Sequence, residues 1–253
     1  METVGVNVTH DASFCRCVNG EIDMFLEEER LSRKKHDNMP VKTVMELQES
    51  NFAGVTGLEY HDYSLRDTCN FFDVIFRKKI PDHDYRTYNQ HHYLHACCGF
   101  YNSGFEEADV VVVDGLGNFF DEEHHECATR WHIKKPAEIK LLERQGASRF
   151  GTKTDRHGYW PMGVGMAYAS ISDYLGFGQL GSGKVMGLAP YGKEDPNIKP
   201  FVIDGRVNSK LFYRTKYSAN FIPYDYLPEE VNIKDQRFMN LAYRLQKDFE
   251  KWM

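Results

Sequence analysis

The chain has 253 residues, 42% hydrophobic and 27% charged, with a formal charge of −6. That composition suits one large or two modest globular units with a real core, argues against a broad nucleic-acid-binding face, and offers no apolar run long enough to span a bilayer. The N-terminal segment lacks the charged and apolar regions of a secretion signal. The six cysteines (Cys15, Cys17, Cys69, Cys97, Cys98 and Cys127) form no Cys-x-x-Cys pair. A cytoplasmic protein with reduced thiols is expected, with Cys97 and Cys98 as small core residues.

In chain order, Val4 to Val8 is a β-branched run that ends at His10-Asp11-Ala12-Ser13. Cys15 to Val18 and Ile22 to Leu26 flank Asn19-Gly20, a strong two-residue hairpin turn. Glu27-Glu28-Glu29-Arg30, followed by Arg33, Lys34, Lys35 and His36, reads as a solvated charged helix end. One or two of its basic residues are available to meet a phosphate. Pro40 to Ser50 is predicted helical, with Val41, Val44, Met45 and Leu47 as its apolar face. Residues 55 to 85 give no regular pattern.

His91 to Ser103 reads as a helix. Ala108 to Val113 has the pattern of a buried core strand that delivers Asp114 at its carboxyl end. His124 to Ile133 and Ile139 to Arg144 read as strands, and with the hairpin they predict one mixed sheet flanked by helices. Gly163 to Leu175 is a predicted helix, Gly176 to Gly192 a glycine-rich loop platform, and 200 to 232 a stretch of turns and aromatics. Asp235 to Met253 is the strongest amphipathic helix, with Phe238, Leu241, Ala242, Leu245, Phe249 and Trp252 on one face. That stripe requires cover, from earlier parts of the chain or from a partner. Left open, it would favour association.

Three motifs carry chemistry. In His91-His92-Tyr93-Leu94-His95, the first and last imidazoles lie one turn apart on one helix face and can share a metal, with Asp114 as the candidate third ligand. His92 points about 100° away. A solvated trio of histidines is the plain alternative. In Thr9-His10-Asp11-Ala12-Ser13, His10 can serve as general base toward a hydroxyl and Asp11 can orient it or hold substrate, although a polar turn has the same composition. Gly178 and Gly183-Lys184 satisfy the spacing of a P-loop, but Val185 stands where a magnesium-binding hydroxyl is needed, so that reading fails. Lys184 either contacts a phosphate or ties the loop down.

Taken together, GVNVTHDAS, NGEI and EEERLSRKKHDNMP, then HHYLHACCGFYNSGFEEADVVVVDGLG, then GVGMAYASISDYLGFGQLGSGKVMGLAPYG resemble the carbamoyltransferases that act on nodulation factors, cephamycins and tobramycin. The resemblance implies an α/β fold: an actin-like ATPase (ribonuclease H-like) lobe related to the tRNA threonylcarbamoyl transferases. It implies iron held by His91, His95 and Asp114, an active-site His10 near the transferred carbamoyl group, Asp11 on the substrate, and Lys35 on the nucleotide. It further implies ATP and carbamoyl phosphate as sources of a carbamoyl adenylate, and a small hydroxyl-bearing acceptor such as a sugar, antibiotic or nucleoside. Residues 1–253 then correspond to the N-terminal portion of the family's first domain. Its second lobe and adenylate-forming domain fall outside this sequence, so a complementing C-terminal part is expected, without which the chain is inactive. The alternative is a metal-retaining binding module without catalysis.

Overall fold

The computed structural model describes residues 2–8, 11–46, 55–60, 91–121, 123–148, 158–214 and 219–253. The chain divides into two units, Met1–Tyr88 and Asn89–Met253.

In the first unit, β1 (Glu2–Val8), β2 (Ser13–Val18) and β3 (Glu21–Glu27) form an antiparallel meander. Asn19 (φ 54°) and Gly20 (φ 90°) both take the left-handed conformation a type I′ hairpin turn demands. Val4, Val6 and Phe14 are buried. β4 (Val55–Tyr60) pairs in parallel with β1, giving the order β3-β2-β1-β4. This strand falls in the stretch that shows no pattern in sequence, because its partner is some fifty residues away and VTGLEY does not alternate.

Two short helices follow the meander, α1 (Glu28–Ser32) and α2 (Val41–Glu46). Here the expected solvated charge cluster is corrected. Glu28 is buried, and its carboxylate accepts from the amides of Lys42 (3.0 Å) and Thr43 (2.8 Å) and from the Thr43 hydroxyl (3.0 Å). It caps the exposed N–H groups at the start of α2. The predicted apolar face of α2 is also corrected, since Val41 and Met45 are exposed. Leu47 to Ser50 lie outside the described residues.

The second unit opens with α3 (His91–Ser103), which packs on an antiparallel sheet of order β5-β6-β7 (Glu107–Val113, His124–Lys134, Glu138–Ser148). Ala96 and Phe100 of α3 bury against Val112, Trp131 and Ile133. The described strands therefore form two principal sheets, one mixed and one antiparallel, where the sequence predicted one. Nor is β5 buried on both faces: Val112 lies inside, while Val111 is 65% exposed. Four valines in a row signal β-propensity but do not say how many faces are covered. Cys98 is exposed and Cys97 half-buried, so neither is the core residue expected.

Beyond the sheet come α4 (Val164–Tyr174), α5 (Ser182–Leu188), the short strands β8 (Val202–Ile203), β9 (Arg206–Val207), β10 (Phe212–Arg214) and β11 (Ala219–Phe221), and finally α6 (Gln236–Trp252). The predicted loop platform is thus largely helical, with a 3-10 turn at Ala189–Tyr191 following α5. Gly183 and Gly187 sit in open space within α5, while Val185 anchors the helix in the core. The anchor outweighs the poor helix propensity of glycine.

The Asp235 side chain accepts from the Arg237 amide and caps α6. Its apolar stripe is covered by this unit: Phe238, Leu241, Ala242, Leu245 and Phe249 are buried in one core with Ile171, Val185, Phe201 and Phe221. The open stripe considered as a basis for association is therefore absent. Two buried polar residues of α6 are matched to backbone donors, Asn240 to the Lys193 amide (2.9 Å) and Asp248 to the Phe201 amide (2.7 Å). No helix among the described residues is long and apolar enough to cross a membrane.

Candidate metal centre

The orientation of α3 is fixed by the residues it buries. His92, Ala96 and Phe100 recur every four positions and face the sheet. Thr129 Oγ1 accepts from Trp131 Nε1 (2.8 Å) and is within hydrogen-bond distance of His92 Nδ1 (3.0 Å). Burial pushes the His92 imidazole down to about 4, with the Asp114 charge opposing that shift, so the ring is neutral near pH 7. Gly117 lies flat against this ring. A Cβ there would come within 2.7 Å of His92 Cδ2 and 2.9 Å of Glu126 Cβ. At the start of α3, Asn118 Oδ1 accepts from the His91 amide at 2.8 Å, satisfying one of the donors a helix leaves open.

With His92 locked inward, His91 and His95 stand together, their ring centroids 4.6 Å apart. Asp114 follows β5 directly, and its Oδ2 lies 2.6 Å from His91 Nε2. Its other oxygen accepts from the Gly115 amide at 2.6 Å. Burial works to raise the Asp114 carboxyl. The His91 and Gly115 hydrogen bonds and the two neighbouring imidazoles outweigh it and hold the group below the ordinary carboxylate range. One donor atom from each of His91, His95 and Asp114 lies within 4.8 Å of the others. Two imidazoles and a carboxylate suit iron, zinc or manganese. His91 and Asp114 are half-buried and His95 is exposed, so one side of the cluster is open to a ligand.

The turn that carries Asp114 is backed by α4. A Cβ on Gly165 would fall 2.6 Å from Gly115 Cα and 2.7 Å from the Asp114 carbonyl carbon. One on Gly163 would fall 2.6 Å from Cys127 Cβ. Glycine at 165 lets α4 seat on the Asp114-Gly115 backbone, and glycine at 163 lets its start lie against Cys127.

A second cluster lies in the first unit. Asp11 Oδ1 is 2.7 Å from His36 Nδ1, and the His36 amide donates to Glu29 Oε2 at 3.2 Å. Asp11 was predicted; Glu29 and His36 were read as solvated. The register of the Asn19-Gly20 turn, carried outward, would set Asp11 opposite Glu28; a bulge between Arg16 and Cys17 shifts it to Ser13↔Glu27, and so brings Asp11 level with Glu29. His10 lies outside the described residues. Lys35 is exposed beside His36. Lys184 is exposed on α5 with its ammonium 5.7 Å from the centre of the Phe177 ring. The structure thus gathers His91, His95 and Asp114 in one unit and places Asp11 in the other. Asn118, Thr129 and Gly117, which position the ligand candidates, escape a sequence reading because each acts through a non-local contact, whereas the glycines at the start of the Gly163–Leu175 segment are of the type that suits close packing, as Gly165 shows.

Fold and site together describe an α/β protein with a helix-borne histidine pair closed by a strand-end aspartate. The sequence model of the family described as "Carbamoyltransferase N-terminus" matches residues 43–241, and the chain belongs to that family. The match includes His91, His95, Asp114 and Lys184, and begins after His10, Asp11 and Lys35. Among curated relatives, the chain is 24% identical over 216 residues to nodulation protein NolNO of Sinorhizobium fredii, an alignment covering 74% of this chain and 28% of that protein. It is 25% identical over 243 residues to an uncharacterized protein of Synechocystis sp., covering 79% and 36%. It is 33% identical over 107 residues to nodulation protein NolO of Bradyrhizobium diazoefficiens, covering 42% and 16%. The chain spans little more than a third, at most, of these relatives.

Proposed function

We propose that this chain is the N-terminal part of an O-carbamoyltransferase that moves a carbamoyl group from carbamoyl adenylate to the hydroxyl of a small acceptor. The convergence of His91, His95 and Asp114 in a chain of this family carries the reading. The strand order β3-β2-β1-β4, with β4 parallel to β1, supports an actin-like lobe. The sequence resemblance supports iron as the metal, and carbamoyl phosphate with ATP as the source of the adenylate.

In this reading His91, His95 and Asp114 hold the ion, which when bound acts as a Lewis acid toward the carbamoyl carbonyl. His10 takes the proton of the acceptor hydroxyl as its oxygen attacks the carbamoyl carbon, and the bond to the phosphate oxygen breaks with release of AMP. Asp11 orients His10 or the acceptor, and Lys35 and Lys184 neutralise phosphate charge. Completion of the site calls for the family's second lobe and adenylate-forming domain.

Elemental analysis of protein purified without a metal-binding tag is the direct test. Near-stoichiometric iron that disappears in a His91→Ala, His95→Ala double variant is the expected result. Full metal content in that variant would remove the ligand assignment. In the chain combined with the family's C-terminal part, His10→Ala should slow carbamoyl transfer by about 10²-fold or more. An unchanged rate would refute its role as base.

A further inference from the structure

Alternate residues of β5 face opposite sides of the sheet. Val112 buries with Ala96 and Phe100 of α3, and Asp114, two residues on, meets His91 on that same helix. Val113 points the other way and packs on the core formed by α4, α5 and α6. On this second side lies a cavity of about 470 Å³. Val113 and Cys127 line it from the sheet, Tyr159 and Trp160 from the segment before α4, Arg206 from β9, and Trp252 from the last turn of α6. The cavity and the metal cluster are therefore separated by the thickness of the sheet.

The chemistry of the lining is selective. Three of its described side chains, those of Tyr159, Trp160 and Trp252, are aromatic. The Trp252 indole N–H donates to Gly205 O at 2.8 Å, so this side chain offers the cavity a ring face and no free donor. The Trp160 amide is bound to Ser209 Oγ at 2.9 Å. Among the described residues, the lining includes Arg206 and no carboxylate. Its guanidinium carbon lies 4.7 Å from the centre of the Tyr159 ring, and the Lys210 ammonium lies 4.4 Å from the same centre. Two cations are thus brought to one aromatic wall. The Cys127 thiol donates to Gln145 O at 3.4 Å. The volume is that of a site for a small organic molecule.

We propose that this cavity binds a planar aromatic anion, its ring against Tyr159, Trp160 and Trp252 and its anionic group on Arg206 and Lys210. The site is separate from the metal cluster and stands whether or not the transferase reading holds.

Titration of the whole chain with 1-naphthoate tests it, followed by intrinsic tryptophan fluorescence and by calorimetry. Two of the three tryptophans of the chain line the cavity, so a saturable one-site change in emission is expected. Arg206→Gln should weaken 1-naphthoate by about tenfold or more, Lys210→Gln should weaken it to a smaller extent, and Arg206→Lys should restore part of the loss. The neutral isostere 1-naphthalenemethanol should bind less tightly than 1-naphthoate and be insensitive to Arg206→Gln. Metal content should be unchanged in these variants, which separates the result from the fate of the transferase proposal. Absence of saturable binding would overturn the proposal. So would equal 1-naphthoate affinity in the folded Arg206→Gln and Lys210→Gln variants, or a preference for methyl glucoside over 1-naphthoate.

Discussion

Replacing Gly165 by alanine sets two effects against each other. In a helix, alanine is favoured over glycine by about 0.8–1 kcal/mol. Against this, the added Cβ would stand 2.6 Å from Gly115 Cα and 2.7 Å from the Asp114 carbonyl carbon, and closer still to the Gly115 nitrogen. Carbon atoms in ordinary contact sit about 3.5–4.0 Å apart, so α4 and the Asp114-Gly115 backbone must separate by about 1 Å. Backbone lies on both sides, with no flexible side chain to give way. Overpacking of this kind costs about 1–3 kcal/mol. The net expectation is a loss of about 0–2 kcal/mol once the propensity gain is subtracted. Because Asp114 rides on the displaced turn, weaker metal binding should accompany it. Urea unfolding with a paired metal titration measures both. Gly187→Ala is the internal control: it lies in α5 with nothing near its would-be Cβ and should stabilise by up to about 1 kcal/mol. If Gly165→Ala stabilises as much as the control, the close approach of α4 to the Asp114 turn is wrong.

Other perturbations test other parts of the structure. Leu241→Ala empties a fully buried position in the core under α6 and should cost about 2–5 kcal/mol, read from the urea midpoint at constant m-value. A cost under 1 kcal/mol would mean the stripe of α6 is not covered as described. Thr129→Val strips partners from the buried His92 Nδ1 and Trp131 Nε1. It should cost about 1–3 kcal/mol and loosen metal binding, because His92 sets the rotation of α3. Unaltered metal affinity in the folded variant would break that link. Glu28→Ala leaves the Lys42 and Thr43 amides without their acceptor and should cost about 1–2 kcal/mol, with faster hydrogen exchange at those two amides. Unchanged exchange there would show that Glu28 does not cap α2.

Local regularities were legible without the fold. The His91–His95 pair was visible because helical spacing is a property of five consecutive residues. The Asn19-Gly20 turn was visible because two adjacent left-handed residues demand those types. Asp114 was visible as the residue after a β-branched run. The features that escaped all depend on what lies opposite. Glu28 looks like its neighbours Glu27 and Glu29 in sequence, and only the return of the chain onto α2 makes it a buried cap. β4 became a strand through pairing with β1. The segment around α5 looked like a loop because glycine is abundant, and became a helix because Val185 found a core.

What the sequence determined by itself is therefore the set of short-range elements, the helix-borne histidine pair and the resemblance to a family. Periodicity, turn chemistry and motif spacing are all written within a few residues. The tertiary structure alone decided which carboxylate is buried, which face of β5 is covered, and how the stripe of α6 is satisfied. It also set the seating of α4 on the Asp114 turn through Gly165, and placed an aromatic cavity behind the sheet from the His91, His95 and Asp114 side chains. Those outcomes rest on contacts between residues tens to more than a hundred positions apart, and burial and electrostatics act through distance in space, which sequence separation does not record.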